Sequence, residues 1–484
     1  MRTSRRVDAA VVLREGRRSG IGPAHRGVRV AGLVVAGLIV FVLASNLLWP
    51  AAAPSAMAQA RIPPTVNPFP VFRMGPTLHV VALPANANLS TRLLMTSLQG
   101  LVNRNQTEVY LDVDQVAGNT SRMLSYLAPR YSVRYDRMSV DSAIVTYSSR
   151  AQGLIVYDPA RPESINICTI MAAQQDAILV GPDQARWVAA RSGLTILFDY
   201  ASRNDWTSLS PIAAYERAMR DWYPSSATTL LAILPPDRWA VRDYLVATRT
   251  FVFYFPQGIL ASPFETAATK RILHATPRGI PILGWFNSPT LTEENSFVQM
   301  ASAEGKFVVG VQSVPNLSVL TAIGRNETRR QASSSGSLPV LDDQKTYAVL
   351  AVPDGDNLDF AAGRMWDLWT ERTRGTLPIA WSLNPILADL APPFLDMYYD
   401  SATSMDQFIA APSGAGYLYP DYATADDLSS FVAFSKRYLN ASDMTVVWLL
   451  NAFTASEIPY SSRSLRTYVD GLRPDGIVLD YDDQ

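Results

Sequence analysis

From residue 77 onward, short apolar runs alternate with amphipathic segments. "LHVVALP" (78–84), "TEVYLDV" (107–113), "GLIVYDP" (153–159), "DAILVGP" (176–182), "TILFDY" (195–200) and "TTLLAILPP" (228–236) have the length and β-branched content of buried strands. Between them, "LSTRLLMTSLQGLVNR" (89–104) and "SPIAAYERAMRDWY" (210–223) carry apolar residues three and four apart, the helical spacing. "RDYLVATRTFVFYF", "IPILGWF" and "KFVVGVQ" continue the alternation to residue 312. This rhythm predicts an α/β fold with open sheets over residues 77–324, built as one or two small domains.

The polar, Ser-rich stretch 325–345 ("RNETRRQASSSGSLPVLDDQK") breaks the pattern and is the expected boundary between domains. After it the rhythm is regular. Strands are expected at 346–353, 378–384, 407–413, 444–451 and 476–481, with helical segments in the four gaps. Strand–helix repeats of this kind wind parallel strands with right-handed crossovers. The prediction for 346–484 is a parallel (β/α) barrel-like domain. A closed barrel takes ~8 strands and ~250 residues, so five strands are expected to form an incomplete one.

The two ends of the chain differ from this body. Eight arginines precede or open the apolar run 30–49, and "AAAPSAMAQA" (51–60) offers small-residue cleavage sites. Residues 1–60 therefore predict an export signal, either a cleaved peptide or an uncleaved membrane anchor. The protein is expected to be exported, secreted or on the outer face of the cytoplasmic membrane. Its only membrane contact would then be an uncleaved N-terminal segment. Residues 61–76 are proline-rich and aperiodic, as in a linker.

Charge and rare residues narrow the chemistry. The net charge is −1, but residues 345–484 hold nine basic and nineteen acidic side chains. Such an acidic portion is a poor partner for nucleic acid and suits a neutral substrate handled by carboxylates. Cys168, the only cysteine, sits in the apolar "INICTIM" and is expected to be buried and inert. His25, His79 and His274 are the only histidines. Those outside the leader lack the neighbours of a zinc site or a Ser–His engine, so no metal and no cofactor is expected.

Polar groups follow every expected strand of the C-terminal domain, at the rim where parallel α/β folds collect active sites. The first exit is "DGDN", with Asp354, Asp356 and Asn357; the second is Asn384. The third is "SGAGYLYPDY", with Gly414, Gly416, Tyr417, Tyr419 and Asp421; the fourth is Asn451. The fifth is "DYDD", with Asp480 and Asp482 sharing a face if the strand persists. Asp354 and Asp356 are the first candidates for acid/base or nucleophile, because neighbouring carboxylates can split their pKa values into an acid and a base. Asp421 and Asp480 are the second candidates. Asn357, Asn384, Gly414, Gly416, Tyr417, Tyr419 and Asn451 are candidates for substrate binding. Each has a structural alternative: Asp356 or Asn357 can cap the next helix, "DYDD" can be a solvated tail, and "GAGYLYP" can be a glycine turn with two packed tyrosines. As a rim, it would resemble a sugar subsite, with aromatic faces for C–H groups and carboxylates for hydroxyls.

"GAGYLYP" (414–420) also matches in full the signature of the GxGYxYP family of glycoside hydrolases. "SLQGLVNR" (97–104), "LIVYDP" (154–159), "RDYLVATRTFVF" (242–253), "ILGWF" (282–286) and "PNLSV" (315–319) resemble that family's N-terminal region. "VPDGDN" (352–357) resembles the start of its C-terminal domain, which the resemblance implies to be longer than the stretch expected here. The resemblance spans nearly all of residues 77–484. It implies a multi-domain exported protein with a barrel-like C-terminal domain, assigned to sugar processing. The expected function is hydrolysis of a poly- or oligosaccharide by carboxylates. The rivals are a non-catalytic glycan-binding envelope protein and a metal-dependent carbohydrate deacetylase using the "DGDN" acids.

Overall fold

The computed structural model describes residues 60–113, 119–286, 291–325, 327–332, 342, 344–353, 357–452 and 460–480. Four parallel sheets follow one another along them. The first holds β1 (Arg73–Leu83), β2 (Gln106–Val113) and β3 (Tyr135–Met138) in the order β2-β1-β3. The second holds β4 (Leu154–Val156), β5 (Ile178–Val180) and β6 (Ile196–Asp199) in the order β5-β4-β6. The third holds β7 (Leu231–Ile233), β8 (Phe251–Phe253), β9 (Pro281–Gly284) and β10 (Phe307–Val309) in the order β10-β9-β7-β8. The fourth holds β11 (Ala351–Val352), β12 (Ile379–Leu383), β13 (Asp406–Ala410), β14 (Val446–Leu449) and β15 (Gly476–Leu479) in chain order.

The expected α/β class is therefore the observed one. The strands of the third sheet and two of the second are short and apolar, as expected where both faces of a parallel sheet are covered and no polar face alternates with an apolar one. β4, β5, β7, β8, β9 and β10 are buried throughout. The first three sheets start near their middle and wind outward in both directions. The fourth winds in one direction only, as the strands of a barrel do. Helix starts follow the local chemistry: Asn88, Ser139, Ser210, Thr424 and Ser461 each accept a main-chain N–H of the turn they open. Ser262 and Glu265 complete a reciprocal capping box.

β11 differs most from its expected extent. Only two of the residues 346–353 pair with β12, and among the described residues β11 stands at the edge of its sheet. Tyr347, Val349 and Leu350 stand 51%, 74% and 50% exposed on this edge.

Buried polar contacts join the sheets into one body. From the helix Leu89–Asn103, Gln99 Nε2 donates to Asn316 Oδ1 at 2.7 Å and Asn103 Nδ2 to Ser318 Oγ at 2.9 Å. Ser318 in turn donates from N and Oγ to Asp243 at 2.9 and 2.7 Å. Burial pushes the Asp243 carboxyl up to about 6. Arg242 is fully buried and donates to Asn166 and Thr169, tying the helix Glu163–Gln174 to the exit of β7. The expected linker 61–76 is only partly one: its start lies beside Arg278, just before β9, where Ile62 N donates to Arg278 O and Arg278 N to Ala60 O, both at 2.9 Å, and its last four residues open β1, whose hydrogen bonds to β2 hold them in the first sheet. Cys168 is buried, which pushes its thiol up and suits an inert core residue.

Lys306, just before β10, is buried with Nζ donating to Thr276 O at 3.2 Å and Glu304 O at 3.1 Å. Burial pulls its ammonium down to about 7. The unfolded chain keeps the ordinary pKa near 10.5 and so binds the proton more tightly than the folded one. Stability from this site is full above pH 10.5 and is lost as pH falls towards 7. Lys306→Met is expected to flatten this dependence. The difference between wild type and variant in urea unfolding should change by up to ~1.4 kcal/mol per pH unit in that window. A difference that does not change with pH would contradict the assignment.

Candidate functional site

The loop after β13 is pinned before it reaches the signature. Ala411 N donates to Leu383 O at 3.3 Å and Ser413 N to Trp448 O at 2.7 Å, which fixes this exit between β12 and β14. Gly414 then passes the helix Ala425–Ala441 so closely that a Cβ would lie 2.5 Å from Ser435 Oγ. Gly416, at φ +153°, passes β10 equally closely; its Cβ would lie 2.7 Å from Val308 O. That approach lets Tyr417 and Val308 exchange both main-chain hydrogen bonds, at 2.7 and 2.9 Å, in an antiparallel bridge. Tyr419 N continues the contact by donating to Ser302 Oγ at 2.9 Å.

The signature is thus joined to the β10 edge of the third sheet by a single antiparallel bridge. Its side chains are packed rather than displayed. Tyr417 is 6% exposed with its ring 4.6 Å, centroid to centroid, from Trp285, while Tyr419 has no exposure. This is the glycine turn with packed tyrosines, placed at a joint between two sheets.

The first exit reaches the same place. Asp354 and Asp356 lie outside the described residues. Asn357, which follows them, caps the helix Leu358–Ala362 by accepting Asp359 N at 2.9 Å. Its amide also lies on Gly310, where a Cβ would be 3.1 Å from Asn357 Nδ2 and 3.5 Å from Trp285 Cε3. Leu358 N donates to Gly310 O at 2.8 Å. Asn357, Trp285 and Tyr417 therefore converge around the end of β10, although they come from three distant parts of the chain.

Asp359 was not among the sequence candidates. Its carboxylate accepts Ser313 N at 2.9 Å and Gln312 N at 3.1 and 3.2 Å. Burial pushes it up to about 6, against these amides and the positive charge of Arg238 from the β7 exit. The signal that could have found it is the third aspartate of "DGDNLD", which an amphipathic helix reading absorbs as a polar position.

The remaining exits form a second cluster. Asp421 accepts Ser461 N at 3.1 Å, Ser464 Oγ at 2.6 Å, Asn451 Nδ2 at 3.0 Å and also Ser461 Oγ. Burial alone would raise its pKa, but the bonds from Ser461 and Ser464 outweigh burial and hold it below the usual carboxylate range. A carboxylate held ionised in this way cannot act as an acid and is a weak base, so the role it suits is that of nucleophile or of a charge that binds. Asn451 is buried against it, which joins the third and fourth exits. The fifth joins them through the main chain: Asp480 N donates to Leu449 O at 3.1 Å, and Tyr460 Oη lies 2.9 Å from Leu449 O and 3.0 Å from Asp480 O. Asn384 is buried at the second exit, where Oδ1 accepts Ile386 N at 3.1 Å and shapes the turn after β12. Asp482 lies outside the described residues. Among the described residues, no group of three or more His, Cys, Asp and Glu side chains could hold a metal ion.

Family models fit this architecture sheet by sheet. The GxGYxYP_N second domain matches residues 151–226, which hold β4–β6. The GxGYxYP third domain matches 227–322, which hold β7–β10. The model described as the GxGYxYP putative glycoside hydrolase C-terminal domain matches 344–484, which hold β11–β15. The chain belongs to the GxGYxYP family. Among solved structures, this GxGYxYP protein resembles one described as a putative hydrolase from Bacteroides thetaiotaomicron. The TM-score is 0.72 at 21% identity, covering 86% of this chain and 79% of the other. That likeness is one of fold. No curated protein matches the chain. In family terms, the signature that names these proteins docks the C-terminal domain onto the third domain.

Proposed function

We propose that this GxGYxYP protein is an exported glycoside hydrolase that cleaves a poly- or oligosaccharide with carboxylate chemistry. Asp354 and Asp356 supply the acid, base or nucleophile, and Asp421, held ionised, is the next candidate. The observation that carries the reading is the meeting of Asn357, the neighbour of the acidic pair, with Trp285 and Tyr417 at the end of β10. Segments remote in sequence, one of them following the acidic pair directly, meet there, which supports the reading. The family's assignment to glycoside hydrolysis supplies the reaction class. Residues 1–60 direct export, which the N-terminal sequence of the mature protein would test.

The experiment is turnover on a panel of oligosaccharides with Asp354→Asn and Asp356→Asn. General acid–base catalysis contributes roughly 10²–10⁴-fold, so at least one variant should lose about 100-fold or more in kcat. Wild-type turnover in both would remove these two residues from the mechanism. Sugar binding without product in the wild type would favour a glycan-binding protein instead.

A further inference from the structure

We infer that Asn451 is a specificity-determining residue that reads one hydroxyl of an uncharged sugar through its Oδ1, and that Asp421 is the positioning residue that turns this oxygen towards the ligand. The inference rests on the glycoside hydrolase reading given above and moves Asp421 from reaction to binding. Its bonds decide this. Ser461 Oγ and Ser464 Oγ both donate to Asp421 Oδ1, while Asn451 Nδ2 at 3.0 Å and Ser461 N at 3.1 Å both donate to Oδ2. An ionised carboxylate has about four lone-pair sites, and here all of them are engaged. None is left to attack a sugar carbon.

The same bonds set the amide of Asn451. An ionised carboxylate accepts and cannot donate, so the amide must offer its NH2 group to Asp421 and turn its oxygen elsewhere. That oxygen is buried, with Asn451 3% exposed, and no group among the described residues donates to it. Buried polar groups are nearly always bonded, and one left without a partner has lost its hydration for no return. The main chain beside it is held, since Leu450 N donates to Ser413 Oγ at 3.2 Å. The amide is therefore fixed by its neighbours, and a ligand at the strand-exit rim supplies the missing donor.

The surroundings select which donor. Arg463 Nη2 stands 4.0 Å from Asp421 Oδ1 but donates to Pro420 O and Ala423 O at 3.5 and 3.2 Å. Residues 345–484 carry nineteen acidic against nine basic side chains. A sugar carboxylate or sulfate would meet a bare acceptor oxygen beside a negative charge, whereas a hydroxyl brings the hydrogen that the oxygen lacks. With Asn451 so little exposed, the donor is a single group pointing into the rim rather than the face of a ring.

The test compares wild type, Asn451→Ala and Asp421→Asn by calorimetric binding and by steady-state kinetics. The probes are gluco-, xylo-, manno- and galacto-oligosaccharides, with oligogalacturonate as the acidic member. The wild type should bind a neutral probe more tightly than oligogalacturonate. The best neutral probe is then compared with analogues in which each hydroxyl in turn is replaced by hydrogen or by fluorine, neither of which can donate. At one position both replacements should weaken wild-type binding by about tenfold. Asn451→Ala should bind the parent and those two analogues within about twofold of each other. Asp421→Asn changes one atom, and its new amide can donate to Asn451 Oδ1 in place of the sugar. It should weaken parent binding by about five- to tenfold with kcat within about threefold of wild type, and it carries the test if the alanine variant does not fold. An equal penalty for the analogues in wild type and Asn451→Ala, tighter binding of oligogalacturonate, or no binding of any probe would overturn the inference. So would an Asp421→Asn variant whose kcat falls by about 100-fold at unchanged KM, since Asp421 would then act in the reaction itself. A wild type that binds a probe without cleaving it would remove the hydrolase reading alone, because the analogue comparison rests on binding and still decides the role of Asn451.

Discussion

Asp396→Ala is expected to destabilise the protein by about 3–5 kcal/mol, because it leaves a buried guanidinium without its partner. Arg329 and Asp396 are buried, and Arg329 Nε and Nη2 donate to the two carboxylate oxygens at 2.7 and 3.2 Å. Tyr131 Oη donates to the same carboxylate. The pair joins the segment 327–332 to the helix Pro392–Asp400, and Tyr131 adds the helix Thr120–Tyr131. Removing one ion differs from removing both, since an apolar pair of similar volume avoids the desolvation cost. The double variant Arg329→Met, Asp396→Leu should therefore recover most of the loss. Urea unfolding followed by intrinsic fluorescence checks both variants. A single variant within 1 kcal/mol of wild type would mean that the guanidinium finds water or another partner when Asp396 is gone.

Gly416→Ala is the second large effect, of about 3 kcal/mol. Two costs combine. An alanine held at φ +153° is strained, which costs on the order of 1–3 kcal/mol. Its Cβ would also lie 2.7 Å from Val308 O, so β10 and the signature must separate. Separation breaks two main-chain hydrogen bonds worth about 0.5–1.5 kcal/mol each. The distinguishing measurement is amide exchange at Val308 and Tyr417, which donate these bonds. Both should lose protection in the variant. If both stay protected, the backbone has absorbed the methyl group without parting, and the close approach is not what the glycine is for.

Much of the fold was legible from the sequence, and the strands of the C-terminal domain show why. The expected 378–384, 407–413, 444–451 and 476–481 contain or nearly coincide with β12, β13, β14 and β15. Continuous apolar runs between helical segments have few other solutions. β11 was over-extended because Tyr347, Val349 and Leu350 read as core residues, while only a neighbouring strand can bury them. Local pattern carries no information about how many neighbours a strand has.

The site was legible in part. Spacing alone placed polar groups at each strand exit, and the structure links the third, fourth and fifth exits through Asp421, Asn451 and Tyr460. What spacing could not reveal is that Gly416 faces Val308, or that Asp359 faces Gln312. Both are pairings between domains, set by docking rather than by any periodicity. Tyr417 and Tyr419 looked like a display surface for the same reason: alternation tells which side chains share a face, and docking decides whether that face meets water or another sheet.

The bridge between Val308 and Tyr417 also orders events during synthesis. Chains emerge from the ribosome N-terminal end first, and domains fold as they appear. β10 is complete long before residue 417 exists. Until then the third sheet has an open edge, and unpaired sheet edges invite association with other chains. The signature closes that edge late, across a long loop whose closure is slow. A nascent chain of this protein is accordingly most exposed to misassembly in the interval between making its third domain and making the segment that bridges to it.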